Sequence, residues 1–329
     1  MSTAIDRVLT TLDIHPILVD VGASGEPPRI WAPLIRQAVY VGFDPDLRET
    51  RQLPSGSFYR GFILNQAVTS DPQGDQIEFY LTRSPFCSST LEPDSPSLSN
   101  YLFADLFAVE KRVSVKATRL DGVLDSLHLP CIDWLKLDSQ GTDFRLFNSL
   151  RPETRSRVLA LDVEPGLIDA YRGEDLFIDT HRELTHSGFW LSNLSVQGAV
   201  RMRRAALEQM LAVDKSLTHD RVEKSVRASP GWLEARYLRT LEWMARHNLR
   251  QREYALLWVL ALLDGQFAFA FDLILDWERN WGASDLSESM KAEAVSRIKR
   301  SPRYRVAQIR SLLPRGLKRW LRRLARAGG

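Results

Sequence analysis

Residues 17–25 read ILVDVGASG. A short apolar run reaches Asp20 and gives way at once to a turn of small residues holding Gly22 and Gly25. Apolar residues at this density, over a stretch too short for a helix, predict a buried strand. A charge at the strand end, followed by a turn thinned of side chains, predicts one of two things. It is either a tight reversal or a place where a ligand comes close to the backbone.

The next apolar stretch, AVYVGFDPD at 38–46, repeats the design and ends on Asp44. Asp44 lies 24 residues after Asp20. An acid about twenty residues beyond a glycine turn suits the two hydroxyls of a ribose. The spacing is not the G-x-G-x-x-G of dinucleotide enzymes, because only Gly22 and Gly25 are present. Together the two stretches predict a nucleoside-binding α/β domain.

Working outward, GFILNQAV, QIEFYLT, CIDWLKLD, RVLALDVE and FWLSNLSV read as further strands. RIWAPLIRQ, DLRETRQL, TDFRLFNSL and EDLFIDTHRELTHSG read as helices, and SVKATRLDGVLDSL runs from strand into helix. Such alternation predicts a doubly wound, mainly parallel sheet with helices on both faces. Ligands then bind beyond the C-terminal ends of the strands. PFCSSTLEPDSPSLSN, at 85–100, reads as a loop. After residue 200 the strand pattern ceases, and helices are expected over 203–212, 231–247, 250–263, 266–280 and 287–299. The expected organisation is a binding domain at 1–200, an all-α appendage at 201–300 and a basic tail at 301–329. Trp232, Trp243, Trp258, Trp277 and Trp281 are expected mainly in the appendage core.

The net charge of +3 is unevenly spread. Residues 1–200 hold 18 basic and 27 acidic side chains, whereas 297–329 hold 12 basic and none acidic. The two cysteines, Cys87 and Cys131, make neither a disulfide framework nor a metal cluster. A reducing, cytoplasmic setting is expected. The N-terminus, with acids and no apolar core, does not read as a signal peptide. The most apolar run, ALLWVLALL at 255–263, is too short for a membrane span and reads as a buried helix.

Over roughly residues 15–198 the chain resembles the FkbM family of S-adenosylmethionine-dependent methyltransferases. VDVGASG resembles the family's Asp-x-Gly-Ala-Asn-x-x-Gly turn, with Ser24 where Asn is usual. GFDPD resembles its Glu-Pro step, with Asp44 in place of Glu. FCSSTLEP resembles its Ser-Ser-Leu loop and VKATRLDGVL its Thr-Leu-Asp segment, with Arg119 inserted. DWLKLDSQGTDFRLF resembles its Lys-x-Asp-x-Gln-Gly strand and turn, the most specific match. DVEPGLIDAYRGEDLF resembles its Glu-Val-Glu strand and the Tyr-x-Gly that follows in one branch. The resemblance implies a class I methyltransferase fold, S-adenosylmethionine as cofactor and methyl transfer, usually to oxygen. It would put Asp20 toward the methionine end of the cofactor and let the backbone pass close at Gly22 and Gly25. Asp44 would then meet the ribose and Phe43 the adenine.

A hydroxyl acceptor needs its proton removed during transfer, and a carboxylate within hydrogen-bond reach does that. Asp138 ends the CIDWLKLD strand, and Asp162 and Glu164 end the next one, two residues apart and so on one face. These three carboxylates are candidates for the base, or for holding a divalent metal that orients acceptor oxygens. Ser88 and Ser89 are candidates for a loop closing over the acceptor. The acceptor itself is expected to be a small molecule or a glycan. Nucleic acid is disfavoured, since basic residues interleaved with aromatics are lacking in the body. Two other classes stay open: a nicotinamide-dependent oxidoreductase, and a non-catalytic scaffold whose helical region binds a partner.

The tail, LLPRGLKRWLRRLARAGG at 312–329, has its own pattern. At helical spacing Trp320 and its leucines fall on one side, and Arg319, Arg322 and Arg323 fall with other bases on the opposite side. A basic amphipathic helix of this kind is expected to lie on an anionic membrane surface.

Overall fold

The computed structural model describes residues 3–46, 48, 57–72 and 74–306. Ten strands occur among them. They are β1 (Ile17–Val21), β2 (Val39–Phe43), β3 (Arg60–Leu64), β4 (Ala67–Val68), β5 (Gln76–Thr82), β6 (Val109–Thr118), β7 (Trp134–Leu137), β8 (Ala160–Val163), β9 (Phe189–Ala199) and β10 (Ser229–Arg239). Seven form the main sheet in the order β3-β2-β1-β7-β8-β10-β9. The first five run parallel. β10 is antiparallel to both β8 and β9. A smaller sheet, β4-β6-β5, stands beside it. This is the Rossmann-like class I arrangement, followed by C-terminal helices. Strand order reverses between β1 and β7, so their C-terminal ends open a crevice.

Alternation along the strands divides the interior into two layers. Leu18, Tyr40, Trp134, Ala160 and Leu238 pack on one face. Val19, Val41, Leu135, Leu161 and Tyr237 pack on the other. The second face is covered by helices within the first two hundred residues, among them Leu120–Leu127, Asp143–Asn148 and Phe177–His186. The first face is covered by the N-terminal helix Thr3–Thr11 together with Gln251–Leu263, Phe267–Trp281 and Asp285–Arg300. Gln251–Leu263 is buried all round, Trp258 included, as its apolar run predicts.

Two local expectations are corrected. The segment 231–247 is not a helix: Ser229–Arg239 is β10, and only Leu241–Arg246 is helical. The all-α region expected at 201–300 therefore contributes a strand to the sheet. Leu, Glu, Ala and Arg favour a helix when alone. The slot between β8 and β9 instead supplies hydrogen-bonding partners along both edges, and Leu233, Ala235 and Tyr237 alternate inward. The helix expected over RIWAPLIRQ shrinks to one tight turn at Arg29–Trp31. Pro33 lacks the N–H that a longer helix would need. The helix expected over DLRETRQL falls almost wholly outside the described residues.

An ionic clasp ties the late helices to the sheet. Asp133 is fully buried at the entry to β7 and accepts a hydrogen bond from the backbone N–H of Ile17, at 2.8 Å. Both its oxygens accept from the Arg252 guanidinium at 2.7 Å. Nearby, Arg157 donates to the buried Glu253 at 2.8 Å. Breaking such a buried pair leaves an uncompensated charge, so the clasp fixes the seat of Gln251–Leu263.

Candidate active site

The ends of β1, β2, β7 and β8 are drawn together by their backbones. The N–H groups of Gly22 and Ala23 both donate to the carbonyl of Phe43 at 2.9 Å, and Asp138 N donates to Val21 O at 3.0 Å. Gly22 has φ +81°, and a Cβ there would lie 2.2 Å from the carbonyl oxygen of Asp138. Its glycine is thus demanded by a neighbouring strand end. Gly25 also has positive φ, at +88°, but open space surrounds it.

These ends border a cavity of about 430 Å³. Gly22, Phe43, Asp44, Asp138 and Glu164 are among its walls, and so is Ser88. Asp20 and Asp162 are not. Asp20 is buried beneath the rim, where Tyr40 donates to it at 3.1 Å and the Lys136 ammonium lies 3.4 Å away. Burial raises its carboxyl to about 6. Lys136 is also 3.4 Å from Asp138. Burial by itself would lower the lysine, but Asp138 and Asp20 outweigh it and hold the ammonium above its ordinary value.

Asp138 is fixed at both oxygens, with Gln140 Nε2 donating to Oδ1 at 2.6 Å and Lys136 beside Oδ2. Gln140 takes a left-handed backbone conformation, φ +57°. Its Oε1 lies 3.0 Å from the buried Tyr171 hydroxyl, which is also 2.9 Å from the carbonyl oxygen of Cys87. Asp143, fully buried, binds the two turns together. Ser139 N donates to it at 2.9 Å and Glu164 N at 2.7 Å. Burial lifts Asp143 to about 6.

Glu164 differs from its neighbours. No donor among the described residues reaches its carboxyl, and burial, then the nearby Asp138 carboxylate, raise it well above the usual carboxylate range. Asp44 Oδ1 accepts from Asp46 N at 2.8 Å, while Oδ2 takes no hydrogen bond from the described residues. Burial raises Asp44 to about 6.

The three rim carboxylates expected from the sequence do not converge. Asp162 forms a two-pronged ion pair with Arg236 of β10, at 2.7 and 2.9 Å, and Arg236 continues to Asp264 at 3.0 Å. The strand that was read as helix supplies this arginine. Among the described residues no group of three or more His, Cys, Asp or Glu side chains is placed to hold a metal. Ser88 and Ser89 are internal braces. Ser88 Oγ accepts from Thr82 N and Arg48, at 3.1 and 3.0 Å, and Ser89 donates to Gln140 O at 2.7 Å. Trp320, Arg319, Arg322 and Arg323 lie outside the described residues. Among those described, no helix is long and apolar enough to cross a membrane.

Sequence reading singled out neither Gln140, Tyr171 and Asp143 nor Phe103 of the cavity wall, and it expected Trp232 in the core of the helical appendage, whereas Trp232 lines the cavity from β10. Gln140 and Tyr171 stand inside motifs already noted, so their placement was within reach. Trp232 was hidden by the helical reading of its segment.

No curated protein matches the chain. Residues 35–190 match the family model described as the Methyltransferase FkbM domain. The match spans β2 to β8 and the first residues of β9, and so includes Asp44, Asp138 and Glu164. Methyl transfer, not hydride transfer, is the chemistry of such domains. This part of the chain, with the cavity walls it carries, belongs to the FkbM methyltransferase family.

Proposed function

We propose that the protein transfers the methyl group of S-adenosylmethionine to a hydroxyl oxygen of a small molecule. The observation that carries this reading is Glu164: a half-buried cavity-wall carboxyl with no donor among the described residues, next to the fixed Asp138.

The walls suit the cofactor. Asp44 ends β2 with one oxygen free of described donors, as recognition of ribose hydroxyls requires. Phe43, Ala67, Val68 and Phe79 give an apolar surface for a base. The carboxyl groups of Asp138 and Glu164 suit a cation. When bound, the cofactor supplies an activated methyl carbon and a neutral thioether leaving group.

The chain's own work is placement and proton handling. Asp138 is held in place by Lys136 and Gln140, and it orients the acceptor hydroxyl. Glu164 removes that hydroxyl's proton as the carbon–oxygen bond forms and the carbon–sulfur bond breaks. A carboxyl raised above its usual range is a stronger base once ionised, and transfer that needs the ionised form rises toward alkaline pH. Alignment of two reactants in a fixed cavity is worth roughly 7–11 kcal/mol of barrier. No metal is invoked, because the proton and the charge both have protein partners.

The test is calorimetric titration with S-adenosylmethionine and S-adenosylhomocysteine, followed by transfer of labelled methyl to hydroxyl compounds. Binding of both nucleosides and alkali-stable label on oxygen are expected. Failure of both to bind would end the proposal.

A further inference from the structure

The cavity's other end points to the kind of molecule that receives the methyl group. We infer that the acceptor carries no negative charge and packs a flat, apolar ring on an aromatic shelf formed by Phe103 and Trp232. This rests on the methyl-transfer reading above and deepens it.

The shelf is built from two distant parts of the chain. Phe103 and Trp232 lie parallel, with ring centroids 6.2 Å apart and planes 6° apart. Phe107 crosses Phe103 edge-on at 5.1 Å, and Tyr171 lies beyond Phe107 at 5.6 Å. All four line the cavity. Trp232 is held close to Glu164 by the backbone. Gly166 bridges it, Leu167 N donates to Gly231 O at 2.8 Å, and Leu233 N donates to Pro165 O at 3.1 Å. The shelf therefore begins two residues from the carboxyl proposed to take the proton. At the mouth, Phe86 and Leu106 line the same cavity and remain 62% and 43% exposed. Large apolar side chains left open beside a cavity mark a surface awaiting a ligand. Aromatic faces favour flat rings in offset stacking.

The charges point the same way. Asp44, Asp138, Glu164 and Glu174 line the cavity, and no Lys, Arg or His does so among the described residues. Two cations among the described residues beside the wall are already engaged: Lys136 between Asp20 and Asp138, and Arg48 with Asp46. A phosphate or carboxylate would enter with no cation among the described wall residues to meet it and several carboxyls around it, which opposes binding. An uncharged aryl glycoside or phenol meets no such penalty.

The experiment uses the full chain saturated with S-adenosylhomocysteine and two probes, phenyl glucoside and glucose 1-phosphate. Affinities are read by ligand-observed magnetic resonance. The aryl probe is expected to bind at least about tenfold more tightly, since each tenfold step is about 1.4 kcal/mol. Trp232→Ala is expected to abolish that preference, and Trp232→Phe to keep it. Leu106→Arg, at an exposed rim position, is expected to strengthen binding of the sugar phosphate without touching the fold. Equal or tighter binding of glucose 1-phosphate by the unaltered protein would overturn the inference, as would failure of phenyl glucoside to bind. If S-adenosylhomocysteine itself fails to bind, the methyl-transfer reading falls first, and the calorimetry above shows that separately.

Discussion

Replacing Gly22 by alanine tests the rim geometry directly. The added Cβ would stand 2.2 Å from the carbonyl oxygen of Asp138, in a backbone conformation, φ +81°, that alanine rarely adopts. The left-handed conformation costs roughly 1–2 kcal/mol for a residue with a Cβ. Forcing a methyl into a filled space adds roughly 1–3 kcal/mol. The obstacle is backbone, so no side chain can rotate away. Either the β1 turn or the β7 turn must retreat by about 1 Å, and a misplacement of that size can lower a rate about 10²-fold. Gly22→Ala is therefore expected to lose roughly 2–5 kcal/mol in urea unfolding and to lose turnover beyond what its folded fraction explains. Gly25→Ala is the control. It has the same backbone penalty, φ +88°, but nothing lies within 4 Å of the added carbon. Its loss should stay near 1–2 kcal/mol, with cofactor affinity little changed. Equal losses in the two variants would refute the argument that Gly22 is set by Asp138.

Four other variants have expected outcomes. Asp44→Ala should weaken S-adenosylmethionine binding by about 1–3 kcal/mol in calorimetry, through loss of charge-assisted hydrogen bonds; unchanged affinity would remove it from the site. Glu164→Gln should keep cofactor binding and lower turnover by roughly 10²–10⁴, with the rise of wild-type activity toward alkaline pH flattened. The same variant has a signed effect on stability. Because the folded protein holds this proton more tightly than the unfolded chain, whose Glu titrates near 4.5, Glu164 costs stability increasingly as pH rises above that value. Glu164→Gln should therefore match wild type at acid pH and exceed it at neutral and alkaline pH. Arg252→Ala strands the buried Asp133 and should cost about 3–5 kcal/mol in denaturant unfolding. Deletion of 312–329 should abolish salt-sensitive pelleting with anionic vesicles; undiminished pelleting would assign the tail another role.

Some of this was legible in the residues alone. Short apolar runs ending on Asp20, Asp44 and Asp138, separated by helical patterns, announced a parallel sheet with its functional rim. Strand period and strand-end position are local properties, written in consecutive side chains. The same holds for ALLWVLALL, whose unbroken apolarity allows only a buried helix. What the sequence could not disclose depended on neighbours far along the chain. Gly22 reads as a ligand turn, but its necessity comes from Asp138, more than a hundred residues later. Asp162 and Glu164 share a face by spacing, yet Arg236 captures one and leaves the other open. Residues 229–239 carry helix-forming side chains, and only the vacant edges of β8 and β9 turn them into a strand. That single tertiary choice brings Arg236 to Asp162 and Trp232 to the cavity, so which carboxyl faces the cavity and which aromatic residues line it were decided by packing. Local propensities differ by about a kilocalorie per residue or less, and a sheet slot hydrogen-bonded on both sides outweighs them.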